Sequence, residues 1–138
     1  MTLVRVSAAR AAGVVMLACV AALWGSSVFA QQAPNTPKPG APERKAIADA
    51  MRAKGRDQDR VFVMRYLMVQ NGWAWMVVDP QSRDGKNHYE GESALLRNDG
   101  KSWRVIDQPC GEGDCDADKE LARIKKAFPA APPRIFPK

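Results

Sequence analysis

The sequence has a single histidine, and this scarcity limits the chemistry of any site. Zinc sites usually need several histidine or cysteine ligands, and a Ser-His-Asp arrangement needs a histidine beside its nucleophile. The chain also lacks the phosphate-binding patterns GxxxxGK and GxGxxG, the zinc-protease pattern HExxH and any CxxC pair. We therefore expect no metal and no cofactor, and we predict that the protein is not an enzyme.

Long runs of one charge are also missing. The formal net charge is +6, but the longest basic runs are the pairs Arg44-Lys45 and Lys125-Lys126, and acidic residues are interspersed with the cations. Proteins that bind nucleic acids carry clustered cations on one face or along one helix. The sequence therefore predicts a solvated basic surface and no nucleic-acid partner.

No apolar run is long enough to span a bilayer. The longest uncharged and mostly apolar stretch, residues 11–24, has fourteen residues, whereas a membrane helix needs about 20. A basic start precedes this stretch, and small residues that end in Ala30 follow it. This order is typical of a signal peptide, so residues 1–30 are predicted to be removed by cleavage between Ala30 and Gln31.

Lipoprotein processing at Cys19 is the alternative to that cleavage. It would leave a protein anchored through a lipid on its new N-terminus. The residues after Cys19 stay apolar, as they do in the uncut core of a signal peptide, and this favours the site after Ala30. We expect no membrane span to remain once the signal is removed.

The remaining cysteines agree with export. Cys110 and Cys115 are left after the leader is removed, and an even pair in an oxidising compartment predicts one disulfide bond. The spacing is not CxxC and the intervening residues are acidic, which disfavours a redox-active pair. We therefore predict a periplasmic or secreted protein that is cross-linked by this disulfide bond.

The exported chain is predicted to consist of a tether and one domain. Residues 31–41 contain three prolines and almost no apolar side chain, which predicts a flexible tether. Residues 42–138 are predicted to form a single α+β domain with an extended C-terminal tail. Pro42 suits the first position of a helix and an apolar stripe through Ile47 follows, so a helix is expected over 42–54.

A hairpin is the most specific structural signal in the chain. Two β-rich runs flank Asn71 and Gly72, the dipeptide that most favours a two-residue type I′ turn. Uninterrupted pairing from this turn places Arg65 opposite Val78. The expected strands cover residues 61–70, 73–79, 88–97 and 102–107.

A second helix is expected after Asp116, which can cap it, with Leu121, Ile124 and Phe128 as its apolar stripe. The predicted fold is therefore α+β, with an N-terminal helix, a four-stranded antiparallel meander and a C-terminal helix. Both helices are expected to pack on one face of the sheet.

That arrangement would leave the other sheet face uncovered. The first two strands are apolar on both faces, so an exposed aromatic patch is the candidate binding surface. The alternative is that the proline-rich tail covers this face through Ile135 and Phe136. The candidate binding residues are Tyr66, Met68, Trp73 and Trp75.

Three functions follow from these observations. We predict a non-catalytic protein-binding or inhibitor-type module whose partner is another envelope protein. The alternative is a carrier of a small apolar or envelope-derived ligand, in a helix–sheet cleft lined by Trp75 and Leu121. The third is an enzyme that uses His88 with Glu90 or Glu92, which alternation places on one strand face, although a solvated strand face has the same pattern. The sequence does not indicate the oligomeric state.

Overall fold

The computed structural model describes residues 32–54, 59–111, 113 and 115–138. Three predictions therefore lie outside the described residues: the signal peptide, its cleavage between Ala30 and Gln31, and the alternative lipid site at Cys19.

A four-stranded antiparallel sheet forms the centre of the protein, with its strands in the order of the chain. The predicted α+β class and meander are confirmed. The third strand begins later than expected, because His88 makes only an isolated bridge with Gln81 and the ladder starts after Gly91. The strands are β1 (Val61–Gln70), β2 (Trp73–Gln81), β3 (Glu92–Asn98) and β4 (Trp103–Asp107).

Two helices flank the sheet in sequence: α1 (Pro42–Lys54) precedes it and α2 (Ala117–Ala127) follows it. The Asp116 side chain caps α2 by accepting hydrogen bonds from the backbone N–H groups of Asp118 and Lys119, as its position in the sequence predicts. After α2 the tail forms a single 3₁₀ turn, Pro133–Ile135.

The helices lie on opposite faces of the sheet, which corrects the prediction that both pack on one face. Ile47 and Met51 of α1 pack on a cluster that includes Met76 of β2. Ile124 of α2 packs on the cluster that contains the neighbouring residue, Trp75. Successive side chains of a strand point to opposite faces, so each cluster covers one face. The central strands are apolar on both faces, and each face is therefore buried by a different helix.

The hairpin between β1 and β2 forms as predicted, but its ladder is interrupted. Asn71 and Gly72 both have positive φ, 52° and 73°, as a type I′ turn requires. The register shifts between Met64 and Tyr66, so Met64 rather than Arg65 lies opposite Val78. This β-bulge directs Met64 and Phe62 toward the core under α1 and leaves Val61 and Val63, which alternate with them, on the other side.

Cys110 and Cys115 lie at disulfide distance, with their Cα atoms 5.9 Å apart, as predicted from their number and context. They sit in the connection between β4 and α2. Among the described residues, no helix combines the length and the apolar character that a membrane crossing requires.

Candidate functional site

The hairpin tryptophans lie in the core rather than on the surface. Trp73 is 6% exposed and Trp75 is 3% exposed. The ring of Phe136 packs against Trp75 at a centroid distance of 5.2 Å, and that of Phe128 lies 6.3 Å from Trp73. The predicted exposed surface is therefore not present in this structure, because the C-terminal tail covers it, as the alternative reading of the sequence allows.

The tail can reach this face because it turns directly after α2. The N–H of Ala131 donates to the carbonyl of Phe128. The following 3₁₀ turn places Ile135, which is fully buried, against the sheet. The two remaining candidate residues, Tyr66 and Met68, are half-buried at the margin of this cluster. Burial raises the pKa of the Tyr66 phenol above its ordinary value.

The same packing fills the place proposed for a carrier cleft. Trp75 and Leu121 both belong to the cluster between α2 and the sheet, where aromatic rings and Ile124 occupy the space between them. Trp75 contacts Phe136 there rather than an open pocket.

The structure does not bring the histidine and the two carboxylates into one cleft. His88 and Glu90 are exposed, whereas Glu92 accepts a hydrogen bond from Arg60 at 3.4 Å. A shallow cleft of about 350 Å³ lies here, and His88 does not line it. The described residues contain no group of three histidine, cysteine or acidic side chains that could hold a metal ion. The cleft is lined by Arg60, Tyr89, Glu90, Gly91, Glu92 and Gly111.

The strongest candidate site is one that the sequence analysis missed: the outer edge of β1. β1 is an edge strand, and the N-terminal segment covers only its C-terminal half. Asn35 exchanges two backbone hydrogen bonds with Val69, of 2.9 and 2.8 Å, and the Thr36 hydroxyl donates to the carbonyl of Leu67. Asn35 and Thr36, which belong to the segment predicted as a flexible tether, therefore contact β1.

We name the remaining outer edge, residues 61–64, the free edge. No other described segment pairs with it. Val61 and Val63 are 38% and 41% exposed, and they lie on the same face of β1 because they alternate along it. An exposed edge strand presents unpaired N–H and C=O groups, which act as a template for pairing with another strand.

An exposed aromatic ring lies at the same end of the sheet, on the far side of β2 from β1. Tyr89 is 41% exposed, and its N–H donates to the carbonyl of Pro80, the residue that pairs with Phe62. The Arg60 guanidinium stands over the Tyr89 ring at 4.2 Å. Three of the four large exposed apolar residues among those described thus gather at one end of the sheet; the fourth, Ile106, lies on the opposite edge strand.

Arginines stand at both ends of the free edge and limit its length. Arg60 precedes it and pairs with Glu92, and Arg65 follows it at the bulge and pairs with Asp79 at 3.2 Å. Bulges and charges are the devices by which proteins end strand pairing. The arrangement can therefore accept a short extended segment of about four residues, with apolar side chains over the valines.

Comparison of the chain with protein-family models, with curated proteins and with solved structures finds no match.

Proposed function

We propose that this protein is exported and binds another envelope protein, which adds an extended segment to the free edge of β1. The observation that carries the proposal is the half-covered edge: Asn35 closes the strand at Val69, whereas Val61 and Val63 are left exposed. Strand addition gains affinity from main-chain hydrogen bonds and specificity from alternate side chains. It needs no catalytic residue.

The opposite edge of the sheet is a poorer acceptor. β4 has five residues, half the length of β1, and its register is also broken by a bulge. Of its side chains only Ile106 is a large exposed apolar residue. A strand that adds to this sheet therefore gains more from β1.

Two features of the chain support the proposed location of the protein outside the cytoplasm. The predicted signal peptide directs the chain out of the cytoplasm, and the Cys110–Cys115 pair suits an oxidising compartment. We accordingly propose the periplasm, or secretion beyond it, as the place where the partner is met.

The test is capture of partners from an envelope extract with three forms of the protein. One is the wild type, one carries Val61→Lys and Val63→Lys, and one carries Ile106→Lys as the matched control on the other edge. Lysines on an edge strand oppose strand addition while leaving the core intact. Melting temperatures of all three forms show whether each is folded.

The wild type and the Ile106→Lys form should retain the same partner, and the free-edge variant should lose it while still folded. Retention by all three forms contradicts the proposed site. An empty capture by the wild type contradicts the proposed function.

A further inference from the structure

The positive charge of this protein is concentrated in its last eighteen residues. Residues 31–120 hold 14 basic and 15 acidic side chains, whereas residues 121–138 hold five basic and no acidic ones. Because acidic and basic residues are interspersed over the rest of the chain, the overall composition does not reveal this asymmetry. The folded structure places these residues in the layer formed by α2 and the tail, which covers one face of the sheet.

Four of the five cations in this layer form no ion pair with a described residue. Arg123 is neutralised by Asp107 and Glu120. The other four cations belong to exposed residues. Arg97 of β3, which also forms no ion pair with a described residue, reaches the margin of the layer, where its guanidinium stands 4.6 Å from the ring centroid of Trp73. The four unpaired cations of the layer are Lys125, Lys126, Arg134 and Lys138.

The exposed surface of this layer carries positive charge but no large apolar side chain. The large apolar side chains of the layer, such as Ile124, Ile135 and Phe136, are buried against the sheet, and all four large exposed apolar residues of the described chain lie elsewhere. Protein interfaces derive most of their affinity from buried aromatic and apolar anchors. A cationic surface that lacks them is suited to the anionic headgroups of a bilayer, where each lysine or arginine contributes independently.

We propose that the layer of α2 and the tail is a peripheral docking surface for an anionic phospholipid bilayer. The lipid phosphates would be held by the unpaired cations. One of these, Lys125, also stands over the Phe136 ring, with its ammonium 5.3 Å from the ring centroid. The free edge of β1 includes none of these residues. This proposal is therefore independent of the proposed partner.

The experiment is co-sedimentation of the protein with vesicles, using equal parts of phosphatidylglycerol and phosphatidylcholine, or phosphatidylcholine alone. The test variant carries Lys126→Gln and Arg134→Gln, two exposed cations that touch no aromatic ring in the described contacts. The control carries Lys38→Gln and Lys101→Gln, which remove the same charge beside α1. Soluble polyglutamate and inorganic phosphate are added as competitors.

We expect binding to the anionic vesicles only, weakened by salt and reduced by roughly 25-fold in the test variant, since each cation contributes about fivefold. The control should bind within about twofold of the wild type. Equal binding to both vesicle types, or equal losses in the two variants, overturns the proposal. Binding to polyglutamate without binding to vesicles also overturns it and indicates an acidic protein partner. If inorganic phosphate, at a concentration matched to the lipid phosphate, abolishes vesicle binding, the proposal is overturned, because the anion that binds is then free phosphate and not a bilayer.

Discussion

The backbones of Asn35 and Val69 exchange two hydrogen bonds, and among the described residues this is the one backbone pairing that covers the outer edge of β1. On the turn side of the pair, Gln70 also donates through its side chain to the carbonyl of Gln32 at 2.8 Å. On the other side of the pair, beyond the bulge at Arg65, lies the free edge. The N-terminal segment therefore covers part of this edge through a single bridge and its neighbouring side-chain hydrogen bonds.

Replacing Asn35 by proline should uncover the rest of that edge. The variant loses the N–H that donates to Val69, which should lower the free energy of unfolding by about 1 kcal/mol. The Val69 amide should exchange its hydrogen faster, because the segment that accepts its hydrogen bond is held less firmly. Asn35→Ala keeps both backbone bonds and serves as the control. Equal exchange rates at Val69 in the two variants would show that the pairing is not formed in solution.

Phe136→Ala should expose the tryptophan face of the sheet. Phe136 is 4% exposed and packs on Trp75, so truncation should cost about 3–5 kcal/mol of unfolding free energy. Tryptophan fluorescence should shift to longer wavelength because water reaches the indole. Lys138→Ala, at the exposed end of the same tail, should change neither quantity. A Phe136→Ala protein with wild-type stability and emission would mean that the tail does not cover this face.

The contact between β4 and α2 should make stability depend on pH. Arg123 donates two hydrogen bonds to the carboxylate of Asp107, at 2.9 and 3.0 Å, and this contact holds the pKa of Asp107 below its ordinary value. A lowered carboxyl pKa stabilises the fold above the unfolded-state value of about 3.9, and this contribution is lost as the pH falls through the folded-state pKa.

Asp107→Asn should therefore melt at a lower temperature than the wild type at neutral pH, and the difference should shrink as the pH falls below about 4. Thermal unfolding at a series of pH values measures this convergence. Glu90→Gln, which removes an exposed carboxylate without an ion pair to a described residue, is the control and should show no such trend. A pH-independent difference for Asp107→Asn would contradict the ion-pair account.

Loss of the disulfide should destabilise the protein modestly. Closing a loop as short as that between Cys110 and Cys115 stabilises a fold by about 2 kcal/mol on the chain-entropy model. The double variant Cys110→Ser with Cys115→Ser should lose this amount in urea unfolding. Reductant should lower the stability of the wild type equally and leave the variant unchanged. Free thiols in the protein isolated without reductant would contradict the predicted bond.

Local signals in the sequence were sufficient for most of the fold. The turn at Asn71 and Gly72, the cap at Asp116 and the apolar stripe through Ile47 each act within a few residues, and each lies where its pattern predicts. The cysteine pair is similarly local. These features depend on backbone geometry and near neighbours, so one sequence contains what is needed to predict them.

The candidate sites depend on long-range packing, which the sequence pattern does not determine. Residues 61–69 are almost all favourable in strands, so alternation cannot place the bulge at Arg65 or decide whether the valines or Met64 face the core. Ile135 and Phe136 are visibly apolar, but only the folded chain assigns them to the tryptophan face. The uneven charge of residues 121–138 was present in the sequence and would have emerged from counting charge by segment.

Backbone hydrogen exchange of the protein in complex with its captured envelope partner tests the central claim most directly. Strand addition to the free edge predicts slower exchange of amides within residues 61–64, since about half of the N–H groups of an edge strand point outward and gain acceptors. Amides of β4, including that of Ile106, should exchange as they do in the free protein. Protection confined to β4 or α2, with residues 61–64 unchanged, would contradict the account.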